Sequence, residues 1–226
     1  MTEPSPEAPA RGPSGLGLRL ATYRTARGLK VSELARAIGV SSSLISQIER
    51  QQSQPSVSTL FALAEALDVP VDAFFEEGHP ATAASVPEQP AAGLAGQLAA
   101  GDAEQPAADE GGPGEQYVVR RSERSAIDIE GGVRWERLTP LPLDRMDFLE
   151  IVYEPGTQSH PQLYRHPGTE MLLVLQGRLD IHIGFRRHEL SAGDSMHFPS
   201  SLPHRYVNPT GEEARAVTVL LHDQSH

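Results

Sequence analysis

The chain of 226 residues contains no cysteine and no long apolar run. The lack of cysteine excludes disulfides, zinc–thiolate sites and a cysteine nucleophile. No apolar stretch approaches the roughly 20 residues that span a bilayer. Residues 1–13 lack the apolar core of a signal peptide and are predicted to form a disordered arm. We therefore expect a soluble, cytoplasmic protein.

Positive charge is also scarce, since the formal net charge is −11. This balance argues against non-specific coating of nucleic acid. Residues 14–60 differ from the rest, because six basic residues there oppose only Glu33 and Glu49, which gives a local charge of +4 (6 − 2). Attraction to DNA phosphates requires such a patch, so any DNA binding would depend on this small face.

Residues 31–50 have the pattern of two short helices joined by a tight turn. Leu34 and Ile38 recur at helical spacing. Gly39 can adopt the positive φ that ends a helix, and Ser41 is a suitable N-cap for the next one. A helix pair with a glycine-containing turn is the helix-turn-helix pattern, in which the second helix lies in the major groove.

This segment and its flanks resemble the Cro/lambda-repressor-like DNA-binding domain of the XRE regulators. The matching stretches are LA at 34–35, GVS at 39–41, LISQIER at 44–50, PSVSTL at 55–60 and LDVPVDAFF at 67–75. The resemblance implies a five-helix domain over residues 14–76 that binds double-stranded operator DNA. A homodimer is expected, because one recognition helix reads too few bases to define an operator.

The resemblance also suggests which residues contact DNA. Gln47 and Ser43 are expected at base edges, because glutamine can pair bidentately with adenine and serine is permissive. Ser42, Ser46 and Arg50 would contact bases or phosphates. Phosphate contacts, which position a protein without specifying sequence, are expected from Arg19, Arg24, Lys30 and Arg36. For each arginine the alternative is a solvated surface charge.

Residues 77–115 lack lysine and arginine and carry seven acidic residues among many Ala, Gly and Pro. Such a composition cannot bury enough apolar surface to offset the entropy of ordering. We predict a flexible acidic linker, which acts either as a plain spacer or as a tether that also repels DNA.

Residues 116–223 contain short runs of alternating polarity separated by turn residues, such as DFLEIVYE followed by Pro155-Gly156. Regular short strands with turn signals predict an all-β sandwich or barrel. The fold class predicted for the whole chain is therefore multidomain, with an all-α helix-turn-helix domain joined to an all-β domain.

Two stretches of the β region, residues 156–177 and 193–208, resemble the paired motifs of cupins, which are jelly-roll or double-stranded β-helix barrels. The residues at cupin separations are His166, Glu170 and Gly177 in the first stretch, and Gly193, Pro199, His204 and Asn208 in the second. Tyr164 stands where metal-binding cupins have the first histidine of an H-x-H pair. The resemblance therefore implies a cupin domain over 116–223 with an altered ligand set.

Cupins usually hold one divalent metal with three histidines and a glutamate. Here His166, Glu170 and His204 are carried over, and this donor set suits Zn, Fe, Ni, Cu or Mn with water completing the shell. Tyr164 would ligate as phenolate or hydrogen-bond a ligand. The alternative is a metal-free pocket for a polar or anionic effector, lined by the same four residues and His197.

We interpret the chain as a transcriptional regulator, specifically a repressor, whose cupin domain binds a small-molecule effector. The missing first histidine and the fused DNA-binding domain favour a non-enzyme. Two other classes stay open at this point. One is a metal-dependent cupin enzyme that carries a DNA-binding domain, and the other is an antitoxin-like DNA-binding interaction protein.

Overall fold

The computed structural model describes residues 15–75, 117–143 and 145–222. The predicted arm over 1–13 and the predicted linker over 77–115 lie outside these residues. Within the described part, no helix combines the length and apolarity needed to cross a membrane.

The N-terminal domain consists of four α-helices followed by one 3-10 turn, which stands where the sequence predicted a fifth helix. The bounds are α1 Leu16–Ala26, α2 Val31–Ile38, α3 Ser42–Glu49, α4 Val57–Leu67 and the 3-10 turn Val71–Phe74. Apolar side chains on the inner face of each helix share one core, which includes Leu20, Leu34, Ile45, Leu60 and Leu63.

The structure confirms the predicted turn between α2 and α3 and the roles of Gly39 and Ser41 in it. Gly39 ends α2 with a φ of 74°, a left-handed conformation that glycine adopts without a steric penalty. The Ser41 hydroxyl accepts a hydrogen bond from the Leu44 amide at 3.1 Å and so caps α3. Ile45 and Ile48 are buried, so α3 is anchored by one face and free on the other.

The C-terminal domain is an antiparallel β structure of nine strands in the described residues. One sheet has the order β1-β2-β3-β9-β4-β7 and the other has the order β6-β5-β8. The bounds are β1 Ala126–Ile129, β2 Val133–Arg137, β3 Met146–Tyr153, β4 Thr169–Gln176, β5 Arg178–Ile183, β6 Arg186–Ser191, β7 Ser195–Pro199, β8 His204–Val207 and β9 Ala214–Leu221, with a further 3-10 turn at Arg121–Glu123. The predicted fold class is confirmed.

The helical domain packs against the β domain through polar contacts as well as apolar ones. Asp72, in the 3-10 turn, pairs with Arg137 of β2 at 3.4 Å between Oδ1 and Nη1, and both side chains are only 2% exposed. The Glu130 amide donates to the Pro55 carbonyl at 3.0 Å. A buried ion pair is costly to break, because the surviving partner keeps an uncompensated charge. The two domains are therefore docked in a defined geometry.

The Ser41 cap gives a direct test of the turn. Ser41→Ala should lower the free energy of unfolding by about 1 kcal/mol, since it orphans the amide that the hydroxyl now satisfies. The measurement is unfolding in urea, monitored by circular dichroism. Ser42→Ala is the matched control, because Ser42 is exposed in the first turn and no cap bond depends on it. Equal destabilisation by both variants would contradict the capping assignment.

Candidate functional site

The predicted base-reading residues lie on the outer face of α3. Ser42, Ser43, Gln47 and Arg50 are exposed, and Ser46 is half-buried. Arg50 directs its Nε to Gln52 at 3.2 Å, within the loop that follows the helix. These side chains form one polar surface over a helix whose opposite face is fixed in the core, which is the geometry that entering a groove requires.

Three of the predicted phosphate contacts also reach solvent. Lys30, the N-cap of α2, and Arg36 on α2 are exposed, and Arg19 is half-buried on α1. Both helices contact α3, so these charges belong to the same helical unit as the predicted recognition helix.

Arg24 has a different environment from the other predicted phosphate contacts. Its Nε and Nη2 donate to the Glu49 carboxylate at 2.6 and 3.0 Å, and its Nη1 donates to the Leu29 carbonyl at 2.8 Å. The hydrogen bond to Glu49 raises the pKa of Arg24. A bidentate pair of this kind ties α1 to the end of α3. The geometry assigns Arg24 a bracing role, since its nitrogens are already engaged.

The second site lies inside the β barrel. His166 stands in the loop before β4, Glu170 is the second residue of β4, and His204 begins β8. Strand alternation turns Glu170 inward together with Leu172. All three polar side chains are buried, which agrees with the spacing that suggested them.

Glu170 is the centre of this site. Its Oε1 lies 2.6 Å from His166 Nε2 and 3.1 Å from His204 Nε2. Its Oε2 accepts a hydrogen bond from the Tyr206 hydroxyl. Both carboxylate oxygens therefore face polar groups. Tyr206, the third of these partners, was not predicted from the sequence, because nothing in its local pattern marks it as polar and inward.

The electrostatics favour an ionised Glu170. Burial by itself raises its pKa, but the hydrogen bonds and charges of His166 and His204 outweigh burial and leave that pKa well below its usual value. The Tyr206 hydroxyl behaves in the opposite way, because burial and the neighbouring Glu170 charge raise its pKa well above the ordinary value. Tyr206 is therefore a neutral donor to a negative carboxylate.

Tyr164 lies at the edge of the same site. Its ring meets the His204 ring edge-on, with 4.6 Å between centroids. Burial raises the pKa of Tyr164 well above its usual value, and the Glu170 charge contributes to the same shift. The phenolate form is thus disfavoured here, and Tyr164 takes part as a neutral hydroxyl and a packing surface.

His197 was predicted in the pocket, and the structure corrects this placement. It lies on β7 with an exposed side chain, opposite Met171 of β4. Its neighbour Phe198 is the residue that faces inward and pairs with Glu170. Side chains alternate between faces along a strand, so His197 points away from the barrel interior.

The donor set fits a divalent metal. One ligand atom from each of His166, Glu170 and His204 lies within 4.8 Å of the others. His204 Nε2 is buried and lies 3.1 Å from Glu170 Oε1 without a well-directed hydrogen bond among the described residues, so this nitrogen is free to act as a ligand atom beside the carboxylate. Two imidazoles and a carboxylate are ligands that Zn²⁺ and other transition metals accept, with remaining positions filled by water.

An aromatic wall surrounds these polar groups. The small cavity beside Glu170 is lined by the rings of Trp135, Tyr153, Tyr164 and Tyr206, and by Phe61 from α4 of the helical domain. The sequence reasoning did not predict Phe61, because its α-helical position gave no reason to connect it with the barrel.

Comparison with known proteins identifies both domains. Residues 20–74 match the helix-turn-helix family, and residues 149–220 match the cupin domain family. The chain combines an XRE-type helix-turn-helix domain with a cupin domain. It is a DNA-binding transcriptional regulator.

Relatives of the regulator align along nearly its full length. HTH-type transcriptional regulator PuuR of Escherichia coli (strain K12) is 24% identical over 202 residues, covering 89% of this chain and 92% of the relative. HTH-type transcriptional regulator SutR of the same strain is 27% identical and covers 92% of this chain and 94% of its own. The crystal structure of an HTH_3 family transcriptional regulator from Vibrio cholerae, with 21% identity and a TM-score of 0.58, covers 93% of this chain and 97% of that one, and so shares the fold.

The hydrogen bond from the Tyr206 hydroxyl stabilises the buried carboxylate of Glu170 in the regulator. Tyr206→Phe should lower the free energy of unfolding by about 1.5–3 kcal/mol, since a hydrogen bond to a charged group is lost without solvent to replace it. Urea unfolding measures this loss, with the exposed Tyr117→Phe as control. An unchanged stability would show that Glu170 does not depend on the phenol.

Proposed function

We propose that this regulator represses transcription by binding operator DNA as a homodimer, and that its barrel binds a small-molecule effector. The proposal assigns DNA recognition to residues 14–76 and effector sensing to residues 116–223, joined by residues 77–115. The observation that carries it is that one chain holds both an exposed polar helix and a buried Glu170 surrounded by His166, His204 and Tyr206.

The DNA contacts follow from the exposed face of α3. Gln47 and Ser43 are proposed at base edges, while Arg36 and Lys30 are proposed at phosphates. Both kinds of residue are exposed in the docked arrangement. A dimer would present two copies of α3 to half-sites about one helical turn apart. Such a dimer would therefore recognise an operator with two-fold symmetry.

The barrel would hold a divalent metal through His166, Glu170 and His204. Such a metal would act as a Lewis acid that anchors an oxygen or nitrogen atom of the effector. Tyr206 keeps Glu170 oriented, and Tyr164 is placed to hydrogen-bond a ligand. We assign regulation rather than turnover to the barrel, because PuuR and SutR, which align along nearly the whole chain, are named transcriptional regulators.

The function is tested by capturing fragmented genomic DNA with the purified protein and sequencing the bound fragments. A few sharp sites with two-fold symmetry are expected. Enrichment without a shared motif would contradict sequence-specific operator binding. A stoichiometric protein partner that co-purifies would instead support the interaction-protein class.

Gln47 tests the assignment of α3 as the reading helix. Gln47→Ala should weaken binding to the captured operator by about 1–3 kcal/mol and relax specificity at one base position. Fluorescence anisotropy against operator variants measures both effects. The exposed Gln162→Ala, on the β domain, is the matched control and should bind like the wild type. If Gln47→Ala weakened binding to all operator variants equally, Gln47 would contact a phosphate rather than a base edge.

Zinc titration tests the metal assignment. After treatment with a chelator, the wild type should bind one Zn²⁺ per chain by isothermal titration calorimetry, and Glu170→Gln and His204→Gln should each lose this site. A free Zn²⁺ concentration 100-fold above Kd should add about 2.7 kcal/mol to the wild-type stability. His197→Gln, on the outer face, should bind normally. Unchanged zinc affinity in both pocket variants would remove the metal from the proposal.

A further inference from the structure

A side chain of the DNA-binding domain closes the mouth of the barrel. Phe61 of α4 stacks on His166 with 3.7 Å between ring centroids and only 10° between ring planes. Its ring also meets Trp135 edge-on, with centroids 5.7 Å apart. Phe61 thus covers one of the proposed metal ligands with a ring from the other domain.

The space beneath Phe61 is very small. The cavity that Phe61 lines with Trp135, Glu170 and Tyr206 has a volume of about 10 Å³, which is room for about one water molecule. An organic molecule of several heavy atoms does not fit there while Phe61 stays in place. Access for such a molecule therefore requires the Phe61 ring to leave its place against the barrel.

The position of α4 depends on contacts outside the cavity. The buried pair of Asp72 and Arg137 joins the same two domains, and the Glu130 amide bonds to the Pro55 carbonyl just before α4. Neither Asp72 nor Arg137 lines the cavity. The docking of α4 can therefore be weakened without altering any residue of the pocket.

We propose that the ligand site of the barrel is shared between the domains, with Phe61 as its lid, so that an organic ligand and α4 compete for the barrel mouth. This inference rests on the proposed effector-binding role of the barrel. A ligand that binds only the undocked form shifts the population toward it and separates the helix-turn-helix domain from the barrel. The apparent affinity for that ligand is reduced by the small undocked fraction, so residues that hold α4 also set ligand sensitivity.

Trp135 is the single tryptophan of the chain and lies at the lid, so its fluorescence reports access to the mouth. Acrylamide serves as the probe, because this small neutral organic molecule must reach the Trp135 ring to quench it. The quenching constant is measured on the full-length protein without DNA, in the wild type and in Phe61→Ala, Phe61→Leu and Asp72→Asn. Glu65→Gln, an exposed acid-to-amide change on α4, and Leu18→Ala, at an apolar residue of α1 that is 69% exposed, are matched controls.

We expect the quenching constant to rise several-fold in Phe61→Ala and in Asp72→Asn, to rise less in Phe61→Leu, and to stay at the wild-type value in both controls. Circular dichroism and thermal melting identify any variant that fails to fold, and Phe61→Leu, which keeps an apolar side chain, then replaces Phe61→Ala. Unchanged quenching in the folded Phe61 variants would overturn the assignment of Phe61 as a lid. If quenching rose in the Phe61 variants but not in Asp72→Asn, the proposed competition between a ligand and domain docking would be overturned. No outcome depends on operator binding, so failure of the genomic capture would be a separate result.

Discussion

The buried negative charge of Glu170 is the constraint on which the barrel site depends. An ionised carboxylate without water must be surrounded by donors, because burying it unpaired is very unfavourable. His166, His204 and Tyr206 surround it, the first from a loop and the other two from β8. Glu170 lies on β4 of one sheet and β8 belongs to the other sheet. Fold and site therefore depend on each other, because a shift of one residue in β8 would turn both of its side chains to the outer face.

The second organising feature is that α4 packs against both domains. Leu60, Leu63 and Leu67 face the core of the helical domain, while Phe61 points from the same helix to the barrel. One helix thus contributes to the DNA-binding fold and to the lining of the barrel cavity. Because α4 packs against α2 and α2 packs against α3, α4 is connected to the recognition helix through α2.

Local chemistry explains which features could be predicted from the sequence. Gly39 and Ser41 mark a turn through their own backbone and side-chain preferences, and His166, Glu170 and His204 were found through motif spacing. The contact of Phe61 with His166 joins residues far apart in sequence and in different domains, so no local pattern could indicate it. His197 was misplaced because strand composition does not say which alternate residues face inward.

In the DNA-binding domain too, the pairing of Arg24 with Glu49 joins residues distant in the sequence and could not be predicted from a local pattern. Both residues enter the charge count that predicted a basic face, yet they pair with each other across α1 and α3. Setting the pair aside leaves the net charge of residues 14–60 at +4 (5 − 1). That charge rests on the other basic residues, of which Lys30 and Arg36 are exposed.

From the proposed lid and the proposed repressor function together, we expect docking of α4 on the barrel to set the affinity of the regulator for DNA. The most direct measurement is the Kd for the captured operator of the wild type and of Phe61→Ala, with Glu65→Gln as control. We predict that Phe61→Ala, which would mimic the ligand-bound form of the proposed repressor, binds about 5–150-fold more weakly, the range of ordinary allosteric couplings. Equal or tighter binding by a folded Phe61→Ala protein would contradict it.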